Sequence, residues 1–184
     1  MYLLAELRIE LIGPPLSAAE WAAVGIIVII AAHVVLLIHE LGHVLGGWLA
    51  GYRFRELIVG LVTVERRGDR LRVGLNRRLR HYGGRVLMLP GRAQESKGRT
   101  VLLLVLGPVT SLAAGSVVTL AGLAWLSGAA VATVDLGEIL LTRQIAVIGV
   151  GSVVVGLANL VPVSFHGRKS DGAKLWERLR GLHG

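Results

Sequence analysis

One long apolar segment constrains this chain more than any other feature. Residues 21–49 carry no charged side chain before Glu40, and a helix of that length extends about 44 Å at 1.5 Å per residue. Crossing the hydrocarbon core of a membrane takes about 20 apolar helical residues, whereas the apolar region of a cleavable signal peptide is shorter. We therefore expect a retained transmembrane helix in this segment.

Composition also indicates a membrane protein. Hydrophobic residues make up 53% of the 184 residues and charged residues 17%, and the mean hydropathy is +0.65. Two further segments, 100–126 and 143–163, have the length and apolar character of membrane spans. The sequence predicts an all-α integral membrane protein, in which residues 1–184 form one domain with a core of three transmembrane helices.

The connection between the first two predicted spans, 51–99, is too polar for a helical hairpin in lipid. The pieces Leu57–Glu65 and Arg70–Leu75 flank a turn at 66–69, which predicts a small β-hairpin loop. A second extended piece covers 82–90. It is either a surface loop or a strand at the membrane edge whose free side can pair with an extended peptide.

The distribution of charge predicts an orientation. The 51–99 loop holds 13 of the 20 Lys and Arg residues, and the tail 164–184 holds five more. Positive loops face the cytoplasm, so we expect the loop and the C-terminus there and the N-terminus outside. We interpret the net charge of +8 as this orientation signal. We expect the lipid bilayer as a partner and no nucleic-acid partner. The sequence sets no oligomeric state.

A metal-binding motif lies near the end of the first apolar segment. His39-Glu40-Leu41-Gly42-His43 places two imidazoles one turn apart on one helix face, which is the spacing of a zinc site. Glu40 lies at the flank of that face, where its carboxylate can act as the general base that takes a proton from water. An acid in an apolar span costs about 3 kcal/mol of insertion free energy, which favours a functional role.

A catalytic zinc ion usually has three protein ligands, so one more donor is needed. The chain contains no cysteine, which leaves nitrogen and oxygen donors. Asp171 and His166 both follow the third apolar segment. Histidine is the commoner ligand by type, and the residue types alone leave both open.

The chain resembles the site-2 protease family of intramembrane zinc metalloproteases. The family's His-Glu-x-x-His motif matches residues 39–43, and its Asn-x-x-Pro followed by Asp-Gly matches Asn159, Pro162, Asp171 and Gly172. The resemblance implies that Asp171 is the third zinc ligand and that Asn159 helps to hold the substrate or the oxyanion. It also implies hydrolysis of peptide bonds in or near transmembrane segments of membrane-bound substrates.

Two lesser features of the family are matched by Gly107-Pro108 in the middle helix and by Gly83-Gly84 in the loop. The chain departs from the family at two points. Asp171 follows Asn159 by 12 residues, more than in the compact form of the motif, and an inserted turn at 165–170 accounts for the difference. Ser111 stands where the family often has an asparagine.

A second function class uses the same ligands without turnover. In a zinc-binding membrane scaffold or chaperone, both Asp171 and His166 would join His39 and His43, which closes the coordination shell as in structural zinc sites. A small membrane subunit without metal is a third possibility. Replacing Glu40 by Gln separates the protease from the scaffold, because only the protease needs that carboxylate.

Overall fold

A computed structural model describes residues 17–77, 83–91, 96–128, 136–165 and 167–181 of the chain. The described residues form four helices and two antiparallel sheets. The helices are α1 (Ala18–Leu49), α2 (Lys97–Gly128), α3 (Leu136–Leu160) and α4 (Asp171–Arg180). The strands are β1 (Arg53–Val59), β2 (Val62–Arg67), β3 (Arg70–Leu75), β4 (Arg85–Leu89), β5 (Ser164–Phe165) and β6 (Arg168–Lys169).

The predicted all-α core of three transmembrane helices is wrong. Within the described residues, two helices are long and apolar enough to cross a membrane, α1 and the Lys97–Trp125 part of α2. The third predicted span, 143–163, overlaps α3, but the described apolar part of α3 is Val147–Leu160. The strands add a sheet that an all-α class does not contain.

Helix α1 has well-defined ends. The Ser17 side chain accepts a hydrogen bond from the Glu20 amide, and the Glu20 carboxylate accepts one from the Ser17 amide at 2.7 Å, so the pair forms a capping box. Gly51 follows the helix with a φ of 80°, a left-handed conformation that favours glycine. One narrow stripe of α1 is buried: Ala31, Val35, His39, Glu40, Gly42, His43, Gly46 and Gly47.

Glycines allow the three long helices to approach closely. A Cβ atom on Gly46 would lie 2.7 Å from the Leu102 carbonyl of α2, and one on Gly42 would collide with the Leu106 carbonyl. A Cβ on Gly115 of α2 would lie 2.7 Å from the Gly149 carbonyl of α3. Backbone contact through small residues is typical of helix packing in membranes, and here it brings α1 and α2 together around the motif.

The larger sheet has the strand order β3-β2-β1-β4, with all neighbours antiparallel. The predicted hairpin is therefore present as part of a four-stranded sheet. The predicted strand Leu57–Glu65 is wrong as one unit, because the chain turns at Gly60, whose φ is 53°. The extended piece predicted at 82–90 contains β4, which pairs with β1 and ends the sheet on that side.

The sheet lies along α1. A Cβ on Gly60 would collide with the His33 ring, one on Gly84 would collide with the Glu40 carboxylate, and one on Gly47 would lie 2.7 Å from the Met88 methyl group. These contacts follow α1 from its middle towards its C-terminal end. The start of β4 is therefore beside the motif.

The chain between α3 and α4 forms a short hairpin of β5 and β6. Ser170 fixes its base, because the hydroxyl donates to the Val161 carbonyl at 2.6 Å and accepts from the Ala173 amide at 3.1 Å as the N-cap of α4. A Cβ on Gly172 would collide with the Leu160 carbonyl. The first turn of α4 is therefore held against the end of α3, which determines where Asp171 lies.

Candidate metal centre

Three side chains meet where α1 and α4 approach each other. Asp171 Oδ2 lies 3.1 Å from His39 Nε2 and 3.0 Å from His43 Nε2, and the two Nε2 atoms are 3.3 Å apart. All three residues are buried. This buried group of two imidazoles and one carboxylate can hold a metal ion.

The second nitrogen of each imidazole has its own partner. His43 Nδ1 lies 2.8 Å from the Leu103 carbonyl oxygen, and because a carbonyl only accepts, Nδ1 must carry the proton. His39 Nδ1 lies 3.0 Å from Ser111 Oγ, and Ser111 is fully buried in α2. Such partners orient the ring and leave Nε2 as the free donor atom for a metal.

Asp171 is held as an anion. Its other oxygen, Oδ1, accepts from Lys174 Nζ at 2.9 Å. Burial raises the pKa of Asp171, but the neighbouring His39 and His43 imidazoles and the nearby Lys174 ammonium outweigh it and hold that pKa well below its usual range. A carboxylate ionised at neutral pH is the form that binds a metal.

Glu40 lies beside the three ligands but outside their group. It is buried, and together with His39, His43 and Asp171 it lines a cavity of about 460 Å³. Gly84, just before β4, has a φ of 107°, and a Cβ atom on it would collide with the Glu40 carboxylate. A side chain at position 84 would both strain the backbone and occupy the space of that carboxylate.

Asn159 lines the same cavity from the end of α3 and is half-buried. Its amide nitrogen donates to the Val155 carbonyl at 3.0 Å. Because an amide group has two N–H donors, one remains for a group in the cavity. Asn159 is thus within the site, although it does not belong to the metal-binding group.

The structure brings together four residues that the sequence singles out, His39, Glu40, His43 and Asp171. The alternative ligand, His166, lies outside the described residues. Sequence reasoning missed the contact of Ser111 with His39. Gly107 and Ser111 are one turn apart on the helix that carries Pro108, so they share one face of it. This spacing was the sequence signal that could have pointed to Ser111.

Comparisons with known proteins assign neither a family nor a function to the chain. No family model matches the chain, and neither a curated protein nor a solved structure matches it. Any functional assignment therefore rests on the site itself.

Proposed function

We propose that this protein is a zinc metalloprotease that hydrolyses peptide bonds in or near transmembrane segments, as members of the site-2 protease family do. The observation that carries the proposal is the meeting of His39, His43 and Asp171 in one cavity with the Glu40 carboxylate. His39 and Asp171 are 132 residues apart in the chain. Because charged groups are costly in an apolar environment, their meeting there favours a functional role.

Zinc is the metal that this site fits best. Ligand atoms in a tetrahedral zinc site lie about 3.3 Å apart when the bonds are about 2.0 Å long, and the three atoms here are 3.0–3.3 Å apart. Two imidazoles and a carboxylate are a usual donor set for catalytic zinc. Within the described residues the group has three members, the number of protein ligands that a catalytic zinc ion usually has.

Bound zinc would supply a Lewis acid that polarises the scissile carbonyl and makes water a better nucleophile. Glu40 takes a proton from the attacking water and passes it to the leaving amine. The remaining N–H of Asn159 donates to the oxyanion of the tetrahedral intermediate. The carbonyl of Leu103 and the hydroxyl of Ser111 keep the two imidazoles in position during these steps.

The site would lie inside the membrane near one surface. Trp21 and Trp48 on α1 are 62% and 70% exposed and are about 40 Å apart along the helix. That separation matches a bilayer with its headgroup regions, where tryptophan is enriched at both interfaces. Glu40 lies between them and closer to Trp48, so we propose that α1 and α2 span the membrane in a multi-pass arrangement.

The orientation follows from the basic loop. The 51–99 loop, with 13 Lys and Arg residues, connects α1 to α2 on the side of Trp48, and positive loops face the cytoplasm. The metal site, which is near the Trp48 end of α1, would then be on the cytoplasmic side. The N-terminus would be outside.

The substrate would be a transmembrane or membrane-tethered peptide in an extended conformation. A helical segment must unwind before its peptide bond can be attacked, and pairing with the edge of a sheet holds it extended. Strand β4 is the last strand of its sheet, and Gly83, Gly84 and Arg85 at its start line the cavity. A peptide paired with β4 would therefore pass next to Glu40.

Cleavage of a panel of transmembrane peptides in detergent tests the proposal. We expect the wild-type protein to bind about one zinc ion and to cleave at least one peptide, and Glu40→Gln to bind the same zinc without cleavage. Glu65→Gln is the matched control, because Glu65 pairs with Arg67 on the surface of the larger sheet and should leave cleavage intact. Full zinc with cleavage in neither the wild type nor the variant, across a broad panel, would favour the non-catalytic scaffold.

A further inference from the structure

Four cations line the candidate active-site cavity. Arg85 is at the start of β4, Arg168 and Lys169 are on β6, and Lys174 is on α4. The carboxylates among the lining residues are Glu40 and Asp171. With a divalent metal bound, the cavity would carry a clear excess of positive charge.

Two of these cations already have carboxylate partners. Lys174 Nζ lies 2.9 Å from Asp171 Oδ1, and Lys169 Nζ lies 2.8 Å from Glu177 Oε1. Arg168 is exposed and has no ion pair among the described residues. Its guanidinium is therefore placed to receive an anion that enters the cavity.

Arg168 is held in place by the hairpin that separates Asn159 from Asp171. Phe165 pairs with Arg168 across β5 and β6, and Ser170 ties the base of this hairpin to α3. The hairpin lies between Asn159 and Asp171 in the chain, and Arg168 on its second strand lines the cavity. A guanidinium there can bind a carboxylate with two parallel hydrogen bonds.

We propose that the site selects peptides that carry a carboxylate next to the scissile bond and that Arg168 is the residue that recognises it. The inference rests on the proposed function, because it treats the bound peptide as a substrate. It names the class of substrate for that same site. A carboxylate comes either from an acidic side chain or from the C-terminus of the peptide. Both sources have the same chemistry at Arg168.

Binding measurements on zinc-loaded Glu40→Gln protein test the proposal without the need for cleavage. The probes are fluorescent transmembrane peptides that differ at one juxtamembrane position, Glu, Gln or Lys, each with a free and an amidated C-terminus, in a zwitterionic detergent. We expect the Glu peptide to bind about two to five times more tightly than the Gln peptide, as for a partly exposed ion pair. Binding of the Lys peptide should be weaker still, and added salt should reduce all three differences.

The second variant reverses the charge. Arg168→Glu in the Glu40→Gln background should abolish or invert the preference, whereas Arg70→Glu, a control at the far edge of the larger sheet, should keep it. A preference that follows the free C-terminus instead of the side chain assigns the carboxylate to the chain end and still supports Arg168. Equal binding of all peptides, or a preference unchanged in Arg168→Glu, would overturn the inference.

Failure of the inference and failure of the proposed function are distinguishable. Cleavage of neutral peptides by the wild type without any charge preference in binding would refute the role of Arg168 alone. Charge-selective binding without cleavage of any peptide by the wild type would refute the protease and leave a carboxylate-binding site.

Discussion

His43 Nε2 and Asp171 Oδ2 lie 3.0 Å apart although 128 residues separate them in the chain. The contact joins the C-terminal part of α1 to the first turn of α4. Because Ser170 caps α4 and also bonds to Val161, the position of the carboxylate is determined by backbone structure and not by the side chain alone. The metal-binding group therefore depends on the correct docking of the C-terminal hairpin and helix.

Ser111→Ala should weaken metal binding. The hydroxyl lies 3.0 Å from His39 Nδ1, and loss of such an orienting partner typically lowers metal affinity or activity 10- to 100-fold. Zinc affinity measured by competition with a chelator checks this. Ser152→Ala is the matched control, because Ser152 is an equally buried serine whose hydroxyl has no hydrogen-bond partner among the described residues. A similar loss of affinity in both variants would contradict the role of Ser111.

Gly42→Ala should destabilise the packing of α1 against α2. A Cβ there collides with the Leu106 carbonyl and would lie 2.8 Å from Gly107 Cα, and overpacking of this kind costs about 1–3 kcal/mol. Thermal unfolding in detergent measures the change. Gly25→Ala on the same helix meets nothing within 4 Å and should change the stability by less than about 1 kcal/mol. Equal stability of the two variants would indicate that α1 and α2 do not pack as described.

Gly84→Ala should impair cleavage more than metal binding. The new side chain would meet the Glu40 carboxylate in a left-handed backbone conformation, with φ at 107°. Displacement of a catalytic group by about 1 Å can lower the rate about 100-fold, whereas the three ligands lie outside this contact. The measurement is peptide cleavage together with bound zinc, and Gly74→Ala on β3, which meets nothing within 4 Å, serves as the control. Loss of zinc in Gly84→Ala would place the defect in the metal site instead.

The helical part of the fold was predictable to a limited extent. The run 21–49 is recognisable because apolar character persists over the full length of α1, and its observed bounds are Ala18–Leu49. The third span was expected from the apolar run 143–163, but within the described residues two helices, α1 and α2, have the length and apolar character to cross a membrane. The strand at Leu57–Glu65 was drawn too long because one glycine in an apolar run, Gly60, conceals a turn.

The metal-binding group was more accessible from the sequence than the fold around it. His39 and His43 are one helical turn apart, so local geometry alone brings them together. Asp171 required the family resemblance, because no local rule brings residues 128 positions apart into contact. The contacts of Ser111 and Gly84 with the site depend on how α2 and the sheet dock on α1, which periodicity does not determine.

Bound metal per chain, measured by native mass spectrometry, tests the central claim most directly. The proteins to compare are the wild type, Glu40→Gln and Asp171→Ala, each loaded with zinc and freed of excess metal, with matched folding checked by circular dichroism. We predict about one zinc ion in the wild type and in Glu40→Gln and almost none in Asp171→Ala, because Asp171 Oδ2 contacts both imidazoles. Full zinc in Asp171→Ala, or no zinc in the wild type, would contradict the account.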